Sequence, residues 1–295
     1  MIVDTPFPTA NLTMGFKAKL QREGGRIMKI QTIGIVLIAV AVTAWSGGQA
    51  FGATKTWDGS EGTAWSNGLN WVGDSAPTDS DWGDIARFAE TSPANKTPSL
   101  TASRKVQGIL FDNSTGWTIG YDGATKVLTL RTISSSGSGT NTATAQLKTY
   151  QGNLTWTVST GNTLALDGGL YQDGSNRVLT LTGGGTLSVT GKIDGYSSTL
   201  ITNVADGVLK ISGSTPYASG GSVHITGETG VLQLQTTVAG ATALIGTKIV
   251  DDVGKGLSVT DIGGGYAQIA VIPEPATLAL LTLGGLGVLL RRRRA

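Results

Sequence analysis

The chain has no cysteine and a single histidine among its 295 residues. Without cysteine no disulfide can staple the fold, so stability must come from a buried core and from backbone pairing. The same shortage excludes zinc centres of the Cys/His type, which need several such ligands around one ion. A Ser-His-Asp relay would have to run through His224, and no Gly-x-Ser-x-Gly elbow accompanies it. Charge is sparse as well. Only 14% of residues are charged, and the overall balance is +2. That small basic excess belongs to the two ends, because residues 54–272 hold 13 Lys and Arg against 17 Asp and Glu, a net −4. A mildly acidic central region offers nothing to a phosphate backbone, so nucleic acid is excluded as a partner. Long apolar runs are confined to the ends, and between them no window sustains a 3.6-residue apolar period beyond two turns.

What fills the middle is glycine, serine and threonine in short alternating phrases. Val127-Leu128-Thr129-Leu130, Leu154-Thr155-Trp156-Thr157-Val158, Val178-Leu179-Thr180-Leu181 and Val208-Leu209-Lys210-Ile211 are examples, and His224 alternates with Val223 and Ile225 in another. A period of two puts one set of side chains inside and the threonines, serines, lysines and His224 outside. Glycine runs such as Gly183-Gly184-Gly185 and Gly263-Gly264-Gly265 separate the phrases as turns. The reading is all-β. A right-handed parallel β-helix is favoured by the short strands, glycine turns and the Asx residues expected at corners (Asn162, Asp167, Asn176, Asn203, Asp206). An antiparallel β-sandwich is the alternative, because leucine-rich phrases begin near 128, 154, 164, 179, 187, 209, 223 and 232, at uneven spacing.

Residues 54–90 differ in composition. Four of seven tryptophans, Trp57, Trp65, Trp71 and Trp82, fall here, within a string that also carries Asn70, Pro77, Asp84 and Phe88. Such a cluster serves either as an end cap over a solenoid terminus or as a platform that stacks sugar rings, and capping is the simpler use. Acidic groups give little chemistry. Asp79-x-Asp81-x-x-Asp84 supplies oxygens of the kind calcium takes but lacks an EF-hand frame, and an acidic turn is the simpler reading. Asp251 and Asp252 are strand neighbours, which face opposite ways and so make a poor acid–base pair. No metal or cofactor is implied, and the expectation is a protein that is not an enzyme.

Both ends read as targeting segments. Ile33 to Ala44 is an apolar stretch preceded by Lys29 and followed by Gly48-Gln49-Ala50, the plan of a secretory signal peptide over 28–50. Residues 1–27 then read as a mis-assigned start or a disordered extension ahead of Met28. At the other end, Pro273-Glu274-Pro275 leads into an apolar helix, Ala276 to Leu290, stopped by Arg291, Arg292, Arg293 and Arg294. Its 15 residues cover roughly 22 Å, short of the roughly 30 Å hydrocarbon core, so it suits a single transmembrane anchor rather than a working membrane domain.

Tripeptide, apolar helix and arginine cluster, in that order, resemble the PEP-CTERM sorting signal, with an ordinary tail anchor as the alternative. The resemblance implies that a membrane exosortase recognises Pro273, Glu274 and Pro275, that Arg291 to Arg294 act as the membrane stop, and that cleavage near the tripeptide releases the protein. The phrase from Leu179 to Gly191 is similar to the autotransporter-associated β-strand repeat, which lies on a β-helix. The Trp57-to-Phe88 string likewise resembles the opening segment of secreted proteins of these kinds. Together these predict a 54–90 cap, a 91–271 solenoid and a 273–295 sorting signal. The expected protein is exported, held briefly in the inner membrane, then left at the cell surface or in the extracellular matrix. Its expected partners are the export machinery, an exosortase and extracellular polysaccharide, and its expected role is structural or adhesive. The rival readings are a polysaccharide lyase or glycosidase and a carbohydrate-binding β-helix.

Overall fold

The computed structural model describes residues 52–274 apart from 81–82, 90–94, 114–115, 151, 175–176, 196–199 and 219. The expected signal peptide, the helix over 276–290, Pro275, the four arginines, Trp82 and Asn176 lie outside the described residues. Among those described, no helix is long and apolar enough to cross a membrane.

The chain winds into a parallel β-solenoid of about seven turns with three faces. The first face stacks Thr54–Thr56, Ile85–Ala89, Gly108–Asp112, Thr132–Ser135, Leu154–Val158 and Val178–Thr182, each parallel to the next. The second stacks Ser99–Leu100, Thr118–Tyr121, Gly139–Ala143, Asn162–Leu166 and Thr186–Val189. The third stacks Arg104–Lys105, Val127–Leu130, Gln146–Thr149, Leu170–Gln172 and Ile193–Gly195. In the last two coils the first and second faces fuse into long bent strands, Ile201–Ile211 and Ser222–Leu234. Parallel pairing throughout the stack rules out the antiparallel sandwich. Coil stacking also begins inside the segment expected to be cap alone.

Sorted by face, the uneven leucine phrases become regular. Leu164, Leu187, Leu209 and Leu232 are register partners on the second face, and Leu166, Val189, Ile211 and Leu234 run beside them. On the third face Leu128, Leu147, Leu170 and Ile193 form a matching column. All are buried. Each such side chain contributes roughly 1.5–3 kcal/mol by leaving water, and stacking like on like lets every coil reuse one cross-section. Partners on adjacent coils lie 21, 23 and 25 residues apart in Gly191–Ser212, Asp167–Thr190 and Thr157–Thr182, so coil length varies at the corners while the inward columns hold register. Asn203 departs from expectation. It is a strand residue paired in register with Thr180 and His224, not a corner, because the first two faces are continuous in its coil.

Glycine sets the corner between the first and second faces. Gly207 has φ 86°, and a Cβ there would fall on the Gly185 carbonyl oxygen of the coil below. Not every inward residue is apolar. Ser135 donates to Asn162 Oδ1 at 2.7 Å and accepts from Asn141 Nδ2 at 3.2 Å. Further along, Thr202 and Tyr217 share a 2.7 Å bond, while Gln172 donates to Thr202 at 3.1 Å and accepts from the Tyr217 hydroxyl at 3.2 Å. These buried groups satisfy one another, as the interior requires.

The far end is closed by different elements. A short helix, Val238–Thr242, and strand Ile249–Asp251 lead to an antiparallel hairpin of Leu257–Asp261 and Ala267–Val271. Ala267–Val271 pairs antiparallel with the second half of Ser222–Leu234, ending the parallel stack and covering part of its edge.

Candidate functional site

At the N-terminal end the tryptophans pack inward. Trp57, Trp65 and Trp71 are 0%, 1% and 0% exposed. Trp71 meets Trp57 and Trp65 edge-to-face, both with ring centroids 5.0 Å apart, and Phe88 lies beneath all three. The Trp71 indole donates to the Trp65 carbonyl at 2.8 Å and that of Trp57 to the Asn95 carbonyl at 2.9 Å. The Trp57 and Trp71 nitrogens are thus satisfied, the buried Trp65 nitrogen finds no partner among the described residues, and the faces of all three rings are covered by neighbours. These three rings offer no open face to a sugar.

At the opposite end the described residues finish on the hairpin. Among the described residues Val271 is the last that is buried, and the Ile272 amide still donates to the Gly256 carbonyl at 3.0 Å. Pro273 and Glu274 are exposed. Lys255 Nζ lies 3.0 Å from Glu274 Oε1 and 2.5 Å from Glu228 Oε1, bridging the departing chain to the last long strand. Those hydrogen bonds, Glu228 first and then Glu274, hold the Lys255 ammonium above its ordinary value of 10.5. A shallow cavity of about 250 Å³ lies beside this bridge, lined by Thr229, Val271, Ile272 and Pro273 among others.

Residues 271–294 match the PEP-CTERM protein-sorting motif. The PEP-CTERM segment thus begins on the last residue of the final strand, with no linker between folded domain and signal. It is a C-terminal sorting signal of exported proteins and implies exosortase processing. No curated protein and no solved structure matches the chain.

The acidic clusters resolve into staples. Asp84 accepts from the Ala53 and Thr78 amides and the Thr78 hydroxyl, and Asp79 accepts from the Lys105 amide and Arg104. Asp251 accepts from the amides of Val253, Gly254 and Gly256, while Asp252 points to His224. Among the described residues no group of three His, Cys, Asp or Glu side chains is placed to hold a metal.

One arrangement escaped the sequence reading. His224 Nε2 lies 2.9 Å from Ser222 Oγ, and His224 Nδ1 lies 2.8 Å from Asp252 Oδ2. Ser222 and His224 are two apart on one strand and so share its outer side. Asp252 follows Ile249–Asp251, whose Val250 is the register partner of His224. This strand has no nucleophile elbow, the usual sequence mark of such a relay. A Ser-x-His phrase on an exposed strand face was the available signal.

Proposed function

We propose that the protein is an exported, exosortase-processed structural or adhesive component of the cell surface or extracellular matrix. The observation that carries this reading is the sorting motif set directly on the final strand of the solenoid. The signal peptide directs export, the apolar helix over 276–290 holds the chain in the membrane with its arginines on the cytoplasmic side, and an exosortase that recognises Pro273, Glu274 and Pro275 separates helix from domain. The solenoid then remains outside. Its outer surface is rich in hydroxyls, with Thr118, Thr140, Thr142, Thr163 and Thr186 on the second face, a chemistry compatible with hydrated polysaccharide. A lyase or glycosidase reading loses support because the candidate carboxylates are bound by neighbouring amides or by His224.

The test is mass spectrometry of both ends of the mature protein recovered from the surface of a host that carries an exosortase. A start near residue 51 or 53 and an end near 273 is the expected result. An intact arginine tail in the membrane fraction would replace this reading with a plain tail anchor.

A further inference from the structure

We infer that Ser222, His224 and Asp252 form an acylatable nucleophile site that attacks small carboxylic esters, an activity beyond the structural role proposed above. A carboxylate only accepts, so the nitrogen facing Asp252 carries the proton, and in the neutral imidazole this makes Nδ1 the donor and Nε2 the acceptor. Ser222 must then donate its hydroxyl proton to Nε2 across 2.9 Å. That polarity is the one a serine nucleophile needs, with a base in reach of the hydroxyl and a third group fixing the base's tautomer. A surface histidine set by chance needs only one partner. Here the chain's one histidine is held on both nitrogens, from two different elements, with its own side chain largely covered (19% exposed) and Asp252 exposed.

The electrostatics next to Ser222 complete the site. Backbone donors cannot form an oxyanion hole here, since the Ser222 amide donates to Leu200 and the Val223 amide to Lys248. The cation of Lys248 takes that part instead. Lys248 precedes Ile249, the register partner of Val223, and its Nζ donates to the carbonyl of Gly221, the residue before Ser222, at 3.2 Å. The attack runs as follows in atoms: Ser222 Oγ bonds to the ester carbonyl carbon as its proton moves to His224 Nε2. Negative charge builds on the carbonyl oxygen beside Lys248. The carbon–alkoxide bond then breaks and the alcohol leaves with the proton from Nε2. Water reverses the sequence, with His224 taking its proton, the carboxylic acid released and Ser222 restored. Ester and water become acid and alcohol, and no other reactant is needed. Because the site lies on the outside of a sheet, it favours a short acyl group presented on an extended surface, such as an ester carried by a polymer.

The experiment treats the full-length protein with a fluorophosphonate probe and maps the adduct by mass spectrometry, with p-nitrophenyl acetate turnover measured in parallel. A single adduct on Ser222 is expected, absent in Ser222→Ala and formed at least about tenfold more slowly in His224→Gln. Asp252 is a positioning residue, so Asp252→Asn should slow labelling while Asp252→Glu restores part of it. A merely structural carboxylate would not give that rescue. Lys248→Met should lower ester turnover. All these side chains are partly exposed, and matching thermal unfolding curves will show that the variants fold. No adduct on Ser222, labelling that is unchanged in His224→Gln, or ester turnover that survives Ser222→Ala would overturn the inference.

Discussion

Trp71 lies between Trp57 and Trp65 with its indole nitrogen bonded to a backbone carbonyl, so its removal takes out packing and a hydrogen bond together. Trp71→Ala should cost about 3–5 kcal/mol in denaturant unfolding, whereas Val72→Ala, at an exposed position next in sequence, should cost at most about 0.5 kcal/mol. Tyr217 makes a pH-dependent case. Burial pushes its hydroxyl well above the ordinary value of 10.0, outweighing the bonds to Thr202 and Gln172 that pull the other way. A raised folded value means that the neutral form is favoured in the fold. The stability tied to it is whole below pH 10.0 and is lost as pH rises beyond that, by up to about 1.4 kcal/mol per pH unit. Tyr217→Phe should abolish that alkaline slope and, at neutral pH, lower stability by about 1–3 kcal/mol by leaving Gln172 and Thr202 short of a partner. Unfolding curves at pH 7 and above pH 10 check both. What the sequence hid at this scale was inward polarity: Ser135, Asn141, Asn162, Gln172 and Thr202 sit on core positions because each finds another such residue across a coil, and a one-dimensional pattern holds no record of that meeting.

Among the elements, strands and corners carry different burdens. Alternation placed most strands correctly, since inward leucines and outward threonines repeat with period two in Leu154–Val158, Asn162–Leu166 and Val178–Thr182. Coil membership was illegible until the faces were known, because the phrases at 154, 164 and 179 come from the first, second and first faces in turn. The antiparallel hairpin at the end was equally hidden: Leu257–Asp261 and Ala267–Val271 have the same alternation as coil strands, and pairing direction is set by the short Gly263-Gly264-Gly265 turn. At the corners glycine decides. Gly207→Ala adds a Cβ against the Gly185 carbonyl and strains a positive φ, and should cost about 2 kcal/mol or more. Gly191→Ala, with φ 81° but nothing within 4 Å of the new atom, should cost only the conformational part, about 1–2 kcal/mol. A paired denaturant titration separates backbone strain from coil crowding.

For the molecule as a whole, the sorting motif was fully legible, because its tripeptide, helix and arginines are contiguous in sequence, and its junction with the domain was not. The Lys255 bridge to Glu228 and Glu274 joins signal and domain by surface charge, and stays intact at neutral pH because a lysine with a raised value loses its proton only in alkali. Lys255→Met should leave the unfolding midpoint nearly unchanged, as exposed ion pairs contribute little. It should also let an exosortase engage Glu274 sooner, read as faster loss of the tail in a pulse–chase. Slower processing would mean that the bridge presents the tripeptide rather than withholding it. Finally, the coils between the Trp-sealed end and the hairpin end stack on shared inward columns. The columns through Leu164, Leu187, Leu209 and Leu232 would accept another rung of about 23 residues as readily as they accept the present ones. Each added rung displaces the two ends by about 4.8 Å, so the separation of the two ends is a whole-number quantity, adjustable by duplication or deletion of single coils without redesigning either end.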